Sequence, residues 1–147
     1  MFALVYVSQS TVSFDDAALE VLGAKASKKN GRLHITGYLN FNHMRTTFFQ
    51  YLEGPQQAVL DLMAEVERDE RHRVVNVVQL GDVEQRLFPK WNMRYLGPAF
   101  FHMIRMIRME DVLETVLLTM SEPSFNREQI VTTVWRIAKQ IAERKSA

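Results

Sequence analysis

An α+β fold is predicted by three observations. Strand-like runs and helical periodicities follow one another in the order β-α-β-β-α-β, with one further strand after them. Two more helical stretches close the chain. The apolar content is that of a core-forming domain: of 147 residues, 47% are hydrophobic and 24% charged, with only six glycines and four prolines, which excludes collagen-like, linker-like and disordered sequences. A domain of this length buries roughly 70% of the surface its unfolded chain exposes.

The elements follow in order. Residues 2–8 (FALVYVS) are apolar on both alternating faces, as in a strand covered on both sides. Asp15 and Asp16 supply helix-start chemistry, Leu19, Leu22 and Ala26 follow at helical spacing, and the pair Asn30-Gly31 reads as the turn that ends this first helix. Residues 33–42 and 47–53 read as strands of an antiparallel hairpin joined around 43–46, ended by Gly54-Pro55. Val59, Leu62, Met63 and Val66 make one apolar helical face between Pro55 and Arg68. Residues 73–80 (RVVNVVQL) are a Val-rich fourth strand, and residues 91–96, after Pro89, a fifth. This order is the split βαβ, or ferredoxin-like, arrangement, with two helices on one sheet face. Residues 103–120 and 126–144 read as helices broken at Glu122-Pro123. The second carries an apolar stripe of Ile130, Val134, Ile137 and Ile141, and the pair is expected to cover the open sheet face. The expected organisation is a domain over 1–97 and a C-terminal helical extension over 98–147 packed on the same domain.

Composition removes many functions. Eighteen basic against seventeen acidic residues leave a formal charge of +1, too weak a field to point to nucleic acid or an anionic membrane. The absence of cysteine removes disulfides, thiolate catalysis and zinc ribbons and is compatible with a reducing cytoplasm. No uncharged apolar run reaches the length of a membrane span, and MFALVYVSQS lacks a basic leader, so a cytoplasmic location is expected. The glycines stand apart, excluding P-loop and dinucleotide patterns. There is no G-x-S-x-G or H-E-x-x-H, and His34, His43, His72 and His102 share no ligand spacing. Neither a metal nor an enzymatic activity is expected.

The informative residues are polar groups in apolar strands. In FFQYLE, Gln50 shares a face with Phe48 and Leu52. Tyr6 shares one with Phe2 and Leu4. A buried amide without partners costs about 1–3 kcal/mol, and a buried phenol needs a partner too, so neighbouring first and third strands would let the two meet. On these two residues alone, mutual satisfaction in the core is the simpler reading. Asn30 at the first helix's exit, and Asp69, Arg71 and His72 directly after the second helix, lie at the same end of both helices. Together they offer the donors and acceptors that suit the edge of a flat heterocycle. Lys25, Lys28 and Lys29 could meet a phosphate near that exit, but a solvated basic last turn is the simpler reading.

Tyr6 in LVYVSQS, Asn30 followed by ITG at 35–37, FFQYLEGP at 48–55, DERH at 69–72 and FPKWNM at 88–93 together resemble the BLUF family, sensors of blue light using flavin, of the short stand-alone type. The likeness runs in order from about residue 2 to 97. It implies a ferredoxin-like domain holding a flavin non-covalently between its two helices, FAD first, with FMN or riboflavin as alternatives. Leu22 and Val66 would flank the ring, Asn30, Asp69, Arg71 and His72 would supply polar contacts, and Gln50 would bond the N5/O4 edge and Tyr6. Blue light would drive electron and proton transfer from Tyr6 through Gln50, leaving the glutamine rearranged and the flavin spectrum slightly red-shifted.

Glutamine suits that task because its amide both donates and accepts, whereas a glutamate ionised at neutral pH only accepts. Output would pass through the fifth strand, where Trp91 and Met93 are the signalling candidates and should alternate with Asn92 across the sheet. It would then pass through the C-terminal helices to an unidentified downstream protein or through self-association, a homo-oligomer being expected. The stretch Met103, Ile104, Met106 and Ile107 would pack on the sheet or meet a partner. Lys29, Asn92 and a longer hairpin loop at 42–47 depart from the family pattern. The competing reading is a light-insensitive ferredoxin-like binding or oligomerisation module without chromophore.

Overall fold

Nine consecutive residues, Phe2–Ser10, form β1 in the interior of a five-stranded sheet, in a computed structural model that describes residues 1–119 and 127–145. β1 pairs antiparallel with β3 (Thr47–Gly54) on one side and β4 (His72–Asp82) on the other. β3 in turn pairs antiparallel with β2 (Thr36–Asn42), and β5 (Arg94–Tyr95) lies parallel to β2 at the sheet's edge. The order is therefore β4-β1-β3-β2-β5. Helix α1 (Asp16–Arg32) leads from β1 to β2 across β3, and α2 (Gln56–Arg68) leads from β3 to β4 across β1. This is the ferredoxin-like arrangement expected from the element order.

Strand alternation divides the side chains between the two faces. Phe2, Leu4 and Tyr6 of β1, Leu39 and Phe41 of β2, and Phe48 and Leu52 of β3 form one cluster with Leu19 of α1 and Val59, Leu62 and Met63 of α2. On the other face Tyr38 stacks with both Phe49 and Tyr51, and Tyr38 and Tyr51 pack edge-on against Phe88.

α1 starts as the aspartates suggest: the Asp15 carboxylate accepts the Ala18 N–H at 2.7 Å, a side-chain N-cap. Its end differs from the expected turn at Asn30-Gly31. The helix runs on to Arg32, and the N–H groups of Leu33 and Ile35 both return to the Asn30 carbonyl, at 3.0 and 2.9 Å, with His34 in the left-handed region at φ 58°. Asn30 thus sits inside the last turn, and β2 begins at Thr36 instead of residue 33.

Gly37 admits no other residue: a Cβ there would stand 1.8 Å from the Tyr51 carbonyl oxygen. Its N–H donates to the Trp91 carbonyl at 2.8 Å. The fifth strand is shorter than the expected 91–96. Only Arg94 and Tyr95 pair with β2, and the backbone bends at Asn92 and Met93. Because two-residue alternation belongs to extended chain, Trp91 and Met93 do not share a face. Trp91 stacks on Phe88, and Met93 joins the helix-side cluster.

By chain contacts the protein divides into Met1–Gly97 and Pro98–Ala147. In the second unit, the single helix expected over 103–120 is two helices, α3 (Pro98–Met103) and α4 (Ile107–Thr119). α3 ends in a Schellman motif: Met106 N–H returns to Phe101 C=O at 2.9 Å, Arg105 N–H returns to His102 C=O at 3.1 Å, and Arg105 takes φ 61°. The left-handed position is filled by arginine instead of the usual glycine, so nothing in the sequence marks the break. Ile104 is buried there, while Met103 and Ile107 are exposed. α5 (Arg127–Lys145) buries the whole stripe of Ile130, Val134, Ile137 and Ile141. The expected break at Glu122-Pro123 lies outside the described residues.

Candidate functional site

Tyr6 and Gln50 are direct partners in the β1–β3 register, both facing the helices. The Tyr6 O–H donates to Gln50 Oε1, and Gln50 Nε2–H donates to Met93 Sδ at 3.3 Å. A continuous chain therefore runs from phenol through amide to thioether. Burial pushes the Tyr6 phenol well above its ordinary range, and the negative charge of Asp69 adds to the shift, because both disfavour a phenolate. Tyr6 is a neutral donor at any physiological pH.

The pair forms part of the wall of a cavity of about 310 Å³ between α1, α2 and the sheet. Its apolar lining comes from Leu22 and Ala26 on α1, Leu62 and Val66 on α2, Phe14 before α1, and Leu39, Phe48 and Leu52 on the sheet. Its polar lining includes Asn30, Gln50, Asp69, Arg71 and His72. Tyr6, Gln50 and the six other ligand residues expected from the sequence are all brought to this one cavity. Trp91 and Met93 do not line it. Met93 touches Gln50, whereas Trp91 lies parallel to Phe88 at 5.5 Å with the Arg94 guanidinium 4.8 Å from its ring centre.

The polar groups differ in how committed they are. Asn30 is 2% exposed yet lines the cavity, because the last turn of α1 carries it there. Arg71 Nη2 and Nε donate to the Asp69 carboxylate, at 2.6 Å for the shortest contact, and the Arg71 backbone N–H bonds it as well. Those bonds hold the Asp69 carboxyl well below the usual carboxylate range and raise the guanidinium. His72 Nε2 stands 3.0 Å from the Val66 carbonyl and Nδ1 2.8 Å from Ser8 Oγ. A carbonyl only accepts, so the bond to Val66 assigns a proton to Nε2. His72 ties α2, β1 and β4 together with both ring nitrogens engaged.

Sequence reasoning missed part of the lining. Lys25 and Lys29, read as a solvated turn, line the cavity, and Lys29 pairs with Glu65 of α2 across the gap between the helices. The helical spacing from Leu22 through Lys25 to Lys29 carried that signal. Phe14, beside the α1 start, had none. Among the described residues no group of three or more metal-ligating side chains gathers, and no helix is long and apolar enough to cross a membrane.

Apolar walls with a polar edge of amide, carboxylate and guanidinium suit a flat heteroaromatic ring, and the nearly buried Asn30 carboxamide supplies a hydrogen-bonding group for it. Comparison with known proteins points the same way. The family model described as "BLUF: Sensors of blue-light using FAD" matches residues 1–94. The photoactivated adenylate cyclase subunit beta of Euglena gracilis is 33% identical over 91 residues, which is 61% of this chain and 10% of that protein. The chain spans about a tenth of the length of the curated relatives it matches. Among solved structures, the dark state of BlrB, a BLUF protein, superposes with TM-score 0.61 at 25% identity, covering 97% of both chains. Klebsiella pneumoniae BlrP1 with FMN and cyclic diGMP superposes with TM-score 0.60 at 32% identity, covering 80% of this chain and 34% of that one.

Proposed function

This chain belongs to the BLUF family of blue-light sensors, and on that premise we propose that it is a photoreceptor, not a catalyst, with a flavin bound non-covalently in the cavity between α1 and α2. FAD is the first candidate and FMN or riboflavin the alternatives. The observation that carries the proposal is the Tyr6–Gln50–Met93 chain beside a cavity of apolar walls and polar edge. A bound flavin supplies absorption of blue light and a one-electron acceptor.

Leu22 and Val66 flank the ring from the two helices. Asn30, the Asp69–Arg71 pair and Gln50 meet its polar edge, and His72 holds that end of the cavity together. Tyr6 is the source of the electron and, because it is neutral, must release its proton at the same time; Gln50 Oε1, already bonded to the phenol, receives it. Electron and proton both return to Tyr6 at the end of the cycle, so that phenol and carboxamide are restored. Turning the Gln50 carboxamide end for end exchanges its oxygen and nitrogen. Tyr6 then accepts where it donated, and Met93 loses its N–H. Two hydrogen-bond states thus exist without backbone motion. Met93 is the output residue that touches the switch, and Trp91 takes part through Phe88. From there the C-terminal helices carry the change to a partner protein or to another copy of the chain, inside the cytoplasm.

The visible spectrum of the purified protein, recorded dark and then under blue light, tests this. A flavin band with a small red shift that decays in the dark is expected. A folded protein that remains colourless after flavin is offered would overturn the proposal in favour of a chromophore-free binding module.

A further inference from the structure

Glu53, the only carboxylate on β3, is completely buried and lies on the face opposite Gln50, beside Phe49 and Tyr51. A buried carboxyl is costly unless its oxygens are hydrogen-bonded, and here each oxygen accepts twice. Oε1 takes the Tyr51 O–H at 3.0 Å and the Leu87 N–H at 2.9 Å. Oε2 takes the Thr36 O–H and the Phe88 N–H, both at 2.8 Å. Arg86 closes the same knot, with Nη1 donating to Thr36 Oγ1 at 2.9 Å and Nη2 donating to the His34 carbonyl.

The chain leaving this knot is pinned along its way to Gln50. The Phe88 ring packs against Tyr38 and Tyr51, Trp91 stacks on Phe88, the Trp91 carbonyl receives the Gly37 N–H, and Asn92 Nδ2 donates to the Ile35 carbonyl at 3.2 Å. The next residue is Met93, whose sulfur meets the Gln50 amide.

We propose that Glu53 is a positioning residue: its four-donor clamp on residues 87–88 holds Met93 against Gln50 and thereby biases Gln50 toward the dark hydrogen-bond state. The proposal rests on the photoreceptor reading. With the clamp intact, a rotated Gln50 would present its oxygen to the Met93 sulfur, which has no hydrogen to give. Loosening the clamp weakens the dark-state N–H···S contact and lets Met93 withdraw from the rotated oxygen. Both effects prolong the lit state.

The test is the rate of dark recovery of the red-shifted band in the full chain. Glu53→Gln places an NH2 group opposite backbone N–H donors, and it is expected to bind flavin but recover about two- to fivefold more slowly, the range a weak sulfur hydrogen bond supports. In a Met93→Leu background the same substitution should add nothing, which a merely structural role for Glu53 would not produce. Arg86→Met, which loosens the knot without opposing donors, should slow recovery in the same direction, and it decides the matter should Glu53→Gln fail to fold. Wild-type recovery in the folded variants, or equal slowing with and without Met93, overturns the proposal alone. A wild-type chain that binds flavin without any red shift overturns the photoreceptor reading and this one with it.

Discussion

Gln50 and Glu53 lie three residues apart on β3 and face opposite sides of the sheet, and their surroundings are opposites. Gln50 has one phenol and one thioether for partners; the phenol can meet either end of its amide, the thioether only the NH2 end. Glu53 has four donors, two of them backbone N–H groups that cannot turn round. The difference teaches where a polar group in a core can act as a switch. An amide with exchangeable partners beside a cavity has two states, and a carboxylate saturated by fixed donors has one. A switch needs such a fixed point nearby, or its rearrangement would be absorbed by slack in the chain.

The largest expected effect breaks both sides at once. Gly37→Ala drives a Cβ into the Tyr51 carbonyl and displaces the N–H that holds Trp91, so a loss of about 4 kcal/mol or more in unfolding free energy is expected in chemical denaturation. Phe88→Ala breaks the fixed side only. Phe88 is fully buried among Tyr38, Tyr51 and Trp91, and its truncation should cost about 3 kcal/mol, read from the same experiment.

Gln50→Leu breaks the exchangeable side only. It leaves the buried Tyr6 hydroxyl without its acceptor, for about 1–3 kcal/mol, and difference spectroscopy should show no reversible red shift. Tyr6→Phe should abolish the shift as completely while costing about 1 kcal/mol or less. A normal photocycle in either variant would remove these residues from the mechanism.

The smallest effect concerns the cavity's rim. Arg71 holds the Asp69 carboxyl well below its usual range, so the stability this pair contributes is present above the unfolded value near ~3.9 and is lost as the pH falls from there toward the folded value. Asp69→Asn should therefore flatten the acid limb of the stability profile below pH about 4. Because the Arg71 side chain is largely solvent-exposed, the cost at pH 7 should stay at about 1 kcal/mol. Melting curves across the acid range read both.

Much of the exchangeable side was legible in the sequence. Alternation placed Tyr6 with Phe2 and Leu4, and Gln50 with Phe48 and Leu52, so neighbouring strands were enough to bring the two together. Helical spacing put Leu22 and Val66 on inward faces. The fixed side was harder to read. Glu53 lay in plain view in QYLEGP, and alternation alone puts it on the face of Phe49 and Tyr51, but its partners Leu87 and Phe88 are backbone donors from a stretch with no periodicity. Trp91 and Met93 were read as strand neighbours on one face, and the bend at Asn92 separates them.

Local sequence by itself determined the elements and their faces, since hydrophobic period and the Asp15 cap act over a few residues: the strand cores, α2, the start of α1 and the inward side of Tyr6 and Gln50. Tertiary structure alone decided where α1 ends, where Arg105 interrupts the tail, and which groups share Gln50 and Glu53. The partners of Gln50 and Glu53 depend on hydrogen bonds between residues up to 44 positions apart, as between Tyr6 and Gln50. A buried polar group takes whichever donors the assembled fold brings within reach, and no local pattern records that choice.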